Sequence, residues 1–147
     1  MSYELYTDGG CRGNPGIGGW GYYLITPNGT IEDCAYEEKT TNNQMELTAV
    51  IEGLRTLPED EQITVYTDST YVKNGITKWI HNWRKNGWKA ANGKPVKNKF
   101  YWVELHELTR KRSINWKWVK GHSTVYGNNK ADELCNKAMD LKLVKNR

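Results

Sequence analysis

The chain has 147 residues, a mass of 17.0 kDa and a net charge of +4, which is typical of one domain with a single hydrophobic core. Its 37% hydrophobic residues, with 7 Trp and 9 Tyr, exclude simple disorder, and its longest apolar run, residues 20–25, is too short to cross a bilayer. Three cysteines without a Cys-x-x-Cys pair argue against a disulfide framework or a zinc ribbon. Residues 1–5 lack the pattern of a secretory signal. We therefore expect a cytoplasmic protein without a membrane partner, with a monomer as the default.

The first third of the chain predicts an antiparallel meander of three strands. Alternation over residues 4–8 predicts a strand that ends in a glycine-rich loop, residues 9–19. Residues 20–26 and 30–36 predict two further strands, since the sequence Pro27-Asn28-Gly29 between them is typical of a hairpin turn.

The rest of the chain predicts helices alternating with strands. Apolar residues recur at helical spacing after Asn43 and Pro58 ends that helix: Leu47, Val50, Ile51, Leu54 and Leu57. Strands are predicted at residues 63–67 and 114–118, with helical sequence between them and a last helix after Gly127. The order βββαβ…αβα predicts a mixed sheet with helices on its faces, followed by a frayed basic tail, residues 142–147.

Residues 69–103 form a basic segment, with 8 Lys or Arg and no acidic residue, which leaves the remaining residues at −4. Three tryptophans, Trp79, Trp83 and Trp88, lie among these cations. Cations that meet phosphates, beside aromatic faces that lie on sugars or bases, predict a nucleic-acid surface. For the tryptophans alone an equally good interpretation is packing against the domain. Glycines and a proline interrupt the segment, which favours a protruding helix and loop.

Two predicted strands end in the same tripeptide, Tyr-Thr-Asp, which places Asp8 and Asp68 at their carboxyl ends. If the strands are parallel neighbours, the two carboxylates lie about 5 Å apart by strand spacing alone. Such anions repel each other unless a cation lies between them. The alternative is that each Asp caps a turn or a helix, which suits Asp68 in particular.

Glu46 and Asp132 each occur near the predicted start of a helix, one turn before an apolar residue of its buried stripe. Helix capping is the simpler interpretation of both, and Asn43-x-x-Glu46 resembles a capping box. Four oxygen ligands without cysteine would suit magnesium or manganese rather than zinc. His122, in the loop before the last helix, is either a surface residue or a proton carrier beside such a site.

Taken together, these residues resemble type 1 ribonuclease H of the bacterial kind. The matching stretches are residues 6–16 (YTDGGCRGNPG), 40–46 (TTNNQME), 66–69 (YTDS), 79–83 (WIHNW) and 118–122 (WVKGH). The resemblance implies a ribonuclease H-like α/β fold: a five-stranded mixed sheet, order 3-2-1-4-5, with helices on both faces and a basic protrusion at about residues 78–99. It also implies that residues 1–147 form one catalytic domain that hydrolyses the RNA strand of RNA–DNA hybrids, largely independently of sequence, leaving 5′-phosphate and 3′-hydroxyl ends.

The resemblance further implies roles for individual residues. The metal-binding quartet would be Asp8, Glu46, Asp68 and Asp132, holding Mg²⁺ (with Mn²⁺ as a substitute) for a two-metal mechanism, and His122 would assist product departure. Substrate-binding residues would be Asn14, Asn42, Asn43 and Gln44 along the minor groove, Thr41 and Asn98 at a DNA phosphate, and Trp79, Arg84, Lys85 and Lys89 on the protrusion.

Two other functions stay open at this point. One is a different metal-dependent DNA-processing enzyme on the same sheet, which would act on duplex DNA. The other is a hybrid-binding module without catalysis, which would use the basic segment alone and would be indifferent to a chelator. Under the ribonuclease H interpretation, the RNA–DNA hybrid is the expected partner, and no obligate protein partner is expected.

Overall fold

The computed structural model describes residues 2–119 and 125–145. Its strands are β1 (Ser2–Arg12), β2 (Gly16–Thr26), β3 (Gly29–Thr40), β4 (Gln62–Thr67) and β5 (Ser113–Trp118). Its helices are α1 (Asn42–Arg55), α2 (Thr70–Asn74), α3 (Ile80–Lys85), α4 (Lys99–Arg110) and α5 (Tyr126–Leu141). A π-helical turn, Gly75–Trp79, joins α2 to α3. None of these helices is both long and apolar enough to span a membrane.

The five strands form one mixed sheet in the order β3-β2-β1-β4-β5, as the sequence analysis predicted. Strand β2 runs antiparallel to both β1 and β3, whereas β4 runs parallel to both β1 and β5. In the parallel pair, Tyr6 of β1 lies opposite Tyr66 of β4. The two Tyr-Thr-Asp tripeptides are therefore in register, and their aspartates reach the same end of the sheet.

The predicted glycine-rich loop at residues 9–19 is wrong for most of its length. Strand β1 continues to Arg12 and β2 begins at Gly16, so only a short turn separates them. The glycines belong to the strands because helices lie directly on them: a Cβ on Gly9 would collide with the backbone of Met45 in α1, and one on Gly19 with the backbone carbonyl of Cys135 in α5. Glycine in these strands marks a close approach of another backbone.

Helices cover both faces of the sheet, as predicted. On one face Leu5 of β1 packs beneath α1 at Gly53, and α4 adds the fully buried Trp102 to the same core. On the other face α5 lies on β1 and β2 through a small-residue stripe that includes Ala131 and Cys135. Because side chains alternate along β1, this strand contributes residues to the apolar layers on both faces of the sheet.

The basic segment protrudes from the sheet through the π-helical turn, α3 and the connection to α4. All 8 of its cations are exposed. Trp83 and Trp88 are half-buried and pack against the core, whereas Trp79 is 37% exposed. The packing interpretation is therefore confirmed for Trp83 and Trp88, whereas Trp79 leaves part of its ring accessible, as the nucleic-acid interpretation requires.

The segment after α5 is not frayed over residues 143–145, contrary to expectation. The backbone N–H of Tyr36 in β3 donates to the carbonyl of Leu143 at 2.8 Å. The ammonium of Lys145 contacts the carboxylate of Glu52 in α1 and lies 5.4 Å from the centre of the Trp20 ring. Residues 143–145, here called the C-terminal strap, therefore join the edge strand β3 to α1.

Gly75→Ala tests the packing of the π-helical turn, because the added Cβ would overlap the ring of the buried Trp102. Overpacking a rigid core costs about 1–3 kcal/mol, and we expect a loss of that size in the free energy of unfolding, measured by urea titration. Lys78→Ala, an exposed change in the same turn, is the control and should stay within about 0.5 kcal/mol of the parent chain. Equal stability of the two variants would contradict the packing described.

Candidate active site

Three carboxylates from separate parts of the chain meet at one end of the sheet. Asp8 lies on β1, Asp68 directly after β4, and Glu46 on α1, and one oxygen of each lies within 4.8 Å of the other two. All three side chains are partly buried. Among the described residues this is the one such group of acidic, histidine or cysteine side chains close enough to hold a metal ion together.

Glu46 does not serve as a capping residue, so that alternative is wrong. Thr41 caps α1 instead, since its hydroxyl accepts from the backbone N–H of Gln44 at 3.2 Å. The carboxylate of Glu46 accepts from the backbone N–H of Gly9 and from the hydroxyl of Ser69. Its contacts therefore point into the sheet end beside Asp8, away from the backbone N–H groups of its own helix.

Asp132 lies beside this group but is not part of it. Helix α5 begins at Tyr126, so Asp132 is in the second turn and not at the predicted helix start. Its side chain is exposed and is hydrogen-bonded to Asp8, and its backbone carbonyl accepts from the amide of Asn136 at 3.1 Å. The structure thus brings three of the four predicted acids into one cluster and leaves the fourth at its solvent edge.

Burial and repulsion by neighbouring carboxylates both favour the neutral forms of Asp8 and Glu46. Burial raises the pKa of Asp8 to about 8, with further increases from Asp68 and Asp132. The pKa of Glu46 is raised as well, first by burial and then by the charges of Asp8 and Asp68, although the Gly9 N–H and Ser69 oppose this. A divalent cation would relieve this repulsion, and an all-carboxylate donor set suits a hard cation. The cluster therefore fits such an ion.

A polar surface lies where the first turns of α1 and α4 meet. The carboxamide of Gln44 donates to that of Asn98 at 3.2 Å, which joins the third residue of α1 to the residue preceding α4. The side-chain oxygen of Asn14 accepts from the backbone N–H of Asn42 at 3.2 Å, so the β1–β2 turn joins the same surface. Neither helix has an acidic residue in its first turn, which leaves the positive ends of both helix dipoles uncompensated.

The other predicted substrate residues are distributed along the protrusion and the start of α1. Asn43 is half-buried in the first turn of α1. Arg84 and Lys85 are exposed at the end of α3 and, with His81, line a surface pocket of about 420 Å³. Lys89 follows, also exposed. His122 lies outside the described residues.

Three residues that the sequence analysis did not single out contribute to this site. Gly9 and Ser69 hold the carboxylate of Glu46, and Tyr71 accepts from the side chain of Asn98 at 3.1 Å. Gly9 lies in a stretch that the sequence analysis interpreted as a loop. Ser69 is typical of a helix cap, and its hydroxyl does accept from the backbone N–H of Val72, so nothing indicated that it is also a partner of Glu46. Nothing in the local sequence of Tyr71 distinguishes it from a core aromatic residue.

Comparison with known proteins agrees with this geometry. A sequence model of the RNase H family matches residues 1–140. The chain belongs to the RNase H family. Two relatives named ribonuclease H, from Francisella philomiragia and Hydrogenovibrio crunogenus, are each 56% identical to it. The first match covers 91% of this chain and 88% of the relative, and the second covers 93% and 94%.

Solved structures of RNase H proteins share the fold. LC9-RNase H1, described as a type 1 RNase H with the type 2 active-site motif, superposes with a TM-score of 0.84 at 30% identity, over 96% of this chain and 73% of that one. LC11-RNase H1, solved in complex with an RNA/DNA hybrid, superposes with a TM-score of 0.73 at 27% identity, over 95% and 97% of the two chains.

Asp8→Asn is expected to stabilise the metal-free RNase H chain at alkaline pH. Because the pKa of Asp8 is about 8 in the folded chain and about 3.9 when unfolded, the folded state keeps a proton that the unfolded state loses, and stability falls as pH rises between these values. The variant lacks this loss. Its free energy of unfolding, measured with urea in the presence of a chelator, should exceed that of the parent chain by about 1–3 kcal/mol at pH 8 and by much less at pH 5.

The matched control for this measurement is Asp60→Asn, at an exposed turn residue with a φ of 65° that asparagine adopts readily. An increase in the free energy of unfolding of the Asp8 variant that is independent of pH, or equal to that of the control, would contradict the proposed destabilisation by the Asp8 charge.

Proposed function

We propose that this RNase H chain hydrolyses the RNA strand of RNA–DNA hybrids with divalent cations held by Asp8, Glu46, Asp68 and Asp132. The observation that carries the proposal is the convergence of three partly buried carboxylates at one sheet end, in a chain 56% identical to proteins named ribonuclease H. Mg²⁺ is the expected ion, with Mn²⁺ as a substitute, because both prefer oxygen ligands.

The cluster suits phosphodiester hydrolysis. Bound divalent cations would supply activation of a water molecule and stabilisation of the leaving 3′ oxygen, which yields 5′-phosphate and 3′-hydroxyl products. The chain's own part is to hold the carboxylates in place: the Gly9 N–H and Ser69 orient Glu46, and the β1–β4 register aligns Asp8 with Asp68. Asp132, exposed beside Asp8, would complete the set from the substrate side. His122, which precedes α5 in the sequence, would assist product departure.

Two surfaces would distinguish RNA from DNA in the substrate. Asn14, Asn42, Asn43 and Gln44 present amide groups that can donate to or accept from the 2′-hydroxyls of successive ribonucleotides, which DNA lacks. Thr41 and Asn98 lie at the converging first turns of α1 and α4, where a DNA phosphate would find N–H groups and two helix dipoles. Contacts of this kind avoid base edges, so cleavage would be nearly independent of sequence.

The basic protrusion would bind the DNA strand. We propose that residues 78–99 act as this binding element within a single catalytic domain of residues 1–147, followed by the tail 142–147. The exposed ring of Trp79 offers a stacking surface, and Arg84, Lys85 and Lys89 supply charge for phosphates. The chain would act as a cytoplasmic monomer, for which no partner protein is needed.

The two alternatives from sequence predict different substrates and products. A DNA-processing enzyme on this fold would cleave duplex DNA, whereas the asparagine-bearing surface favours an RNA strand. A binding module without catalysis would leave labelled hybrid intact at every metal concentration. A metal titration with labelled hybrid and duplex DNA separates all three, because only the proposed activity gives metal-dependent cleavage confined to the RNA strand.

Asp8→Asn is also the decisive test of catalysis. Removing one carboxylate from the cluster should lower kcat about 10³-fold or more, since metal ions supply several kcal/mol of transition-state stabilisation. Binding of the hybrid should be kept or improved, because one negative charge near the phosphates is lost. Cleavage rates and filter-binding affinities measure the two effects, with Asp60→Asn as the control. Near-parental turnover by the Asp8 variant would refute the assignment.

Neutralising the protrusion tests the binding surface. Replacing Arg84, Lys85 and Lys89 together by Gln should weaken hybrid binding and make the slope of log Kd against log salt shallower by about 2–3, since fewer counterions are released. The control replaces Lys111, Lys137 and Lys142, equally exposed cations outside the protrusion, by Gln. If both triple variants change the slope alike, the protrusion is not the contact surface.

A further inference from the structure

We propose that Tyr71 is a positioning residue that orients the carboxamide of Asn98 toward a DNA phosphate and fixes its place relative to Trp79. This inference rests on the proposed function, in which Asn98 and Trp79 contact the DNA strand. Tyr71 itself is set back from that surface as a half-buried side chain packed against the core.

Asn98 holds an unusual position for a residue that precedes a helix. Its backbone is left-handed, with φ of 60° and ψ of 30°, and its side chain makes no capping bond to α4. The carboxamide is instead held at both ends: its oxygen accepts from the Gln44 amide at 3.2 Å, and its nitrogen donates to the Tyr71 hydroxyl at 3.1 Å. The side chain is therefore committed to a partner on each side and not to its own helix.

The partners of Asn98 are themselves anchored. The hydroxyl of Thr40, which is 5% exposed, donates to the oxygen of the Gln44 carboxamide at 3.0 Å, and the Gln44 nitrogen faces Asn98. On the other side, the Tyr71 hydroxyl also accepts from the indole N–H of the fully buried Trp102 at 2.9 Å. With one lone pair used by Trp102, the hydroxyl oxygen has a second one directed at Asn98.

This chain of hydrogen bonds holds the Asn98 carboxamide in place. A flip of Asn98 alone would place its N–H against the Gln44 N–H, so the two carboxamides can only turn together. The Tyr71 hydroxyl can donate as well as accept, so it remains a partner of Asn98 in either case. In the orientation held by Tyr71, the second N–H of Asn98 has no protein acceptor among residues 2–119 and 125–145. It is available to an anionic oxygen at the first turn of α4, where Lys99 and the helix dipole add positive potential.

The ring of Tyr71 ties the same hydroxyl to the protrusion. Its centre lies 5.7 Å from the ring of Trp79, edge to face, and 5.4 Å from the ring of Trp102. Trp83 closes the group, 5.8 Å from Trp79 and 5.4 Å from Trp102. Tyr71 therefore touches the exposed ring of Trp79 and also orients the amide of Asn98. The ring and the amide would then meet the DNA strand at a fixed distance from each other.

Tyr71→Phe removes the hydroxyl and keeps the ring in its aromatic cluster. Because the lost bond orients a binding group and touches no reacting atom, we expect KM for the hybrid to rise about three- to tenfold, with kcat within about twofold of the parent chain. Tyr3→Phe, at a half-buried tyrosine packed on the core from the far end of β1, is the matched control and should leave both constants unchanged. An unchanged KM in the Tyr71 variant overturns the inference, as does an equal fall in kcat.

A double variant tests whether Tyr71 acts through Asn98. Asn98→Gly removes the carboxamide while glycine keeps the left-handed backbone, and it should raise KM by itself. In that background Tyr71→Phe should raise KM no further, whereas an independent role would add its full factor. Gln44→Met removes the other partner of Asn98 and also an amide of the RNA-binding surface, so it should raise KM in either background. Urea unfolding of each variant guards against a folding defect.

A modified substrate gives the last discrimination. Each hybrid carries one neutral methylphosphonate in its DNA strand. At one position this group should weaken binding by the parent chain, and on that hybrid Tyr71→Phe should cause little further loss of affinity. A Tyr71 effect that persists undiminished at every position overturns the inference. Failure of the parent chain to cleave any hybrid would instead overturn the proposed function, so the two failures are distinguishable.

Discussion

The close approach of α1 to β1 at Gly9 is the contact on which the site depends. The backbone of Met45 and Glu46 lies where any side chain on Gly9 would be, and the Gly9 N–H donates to the Glu46 carboxylate. A larger residue would push the helix away and carry its acid out of reach of Asp8. The geometry of one backbone contact therefore determines whether acids from a strand and a helix can share a cation.

The gathered carboxylates work against the stability of the fold that holds them. Asp8 and Glu46 are driven toward their neutral forms by burial and by neighbouring carboxylates, and Cys135, packed beneath them, has its pKa raised for the same reasons. Strain of this kind at a functional site is tolerated because the surrounding layers over-determine its position: β1 is covered by helices on both faces. The same carboxylates become favourable partners once a divalent cation lies among them.

The residues alone predicted a mixed sheet with helices on its faces and, if the two strands were parallel neighbours, the meeting of Asp8 with Asp68, because these follow from side-chain periodicity and from a repeated tripeptide. The sheet order came from the resemblance to type 1 ribonuclease H. Sequence analysis mispredicted the glycine-rich stretch as a loop, since glycine signals both a turn and a close approach, and only the packed helices distinguish the two. It also started α5 too late, because Val125 precedes the helix without a side-chain cap to mark it.

The polar network around Asn98 lay beyond sequence-based prediction for a different reason. Gln44 and Asn98 are 54 positions apart in the chain and meet only after α1 and α4 have packed together. Local periodicity indicates which residues are buried but not which amide faces which hydroxyl. The basic segment shows the same limit, since its charge predicted an exposed surface, whereas the different exposures of Trp79 and Trp83 depend on the position of Trp102.

The C-terminal strap has a consequence for the behaviour of the chain at high concentration. Strand β3 is an outer strand of the sheet, and such a strand displays unpaired backbone groups with which a strand of a second molecule can form hydrogen bonds. The bond from Tyr36 to Leu143 occupies one of those groups midway along β3, and Lys145 fastens the covering segment to the body of the protein at Glu52. Three residues that take no part in chemistry thereby shield the sheet against intermolecular β-pairing, the first step of many aggregation pathways.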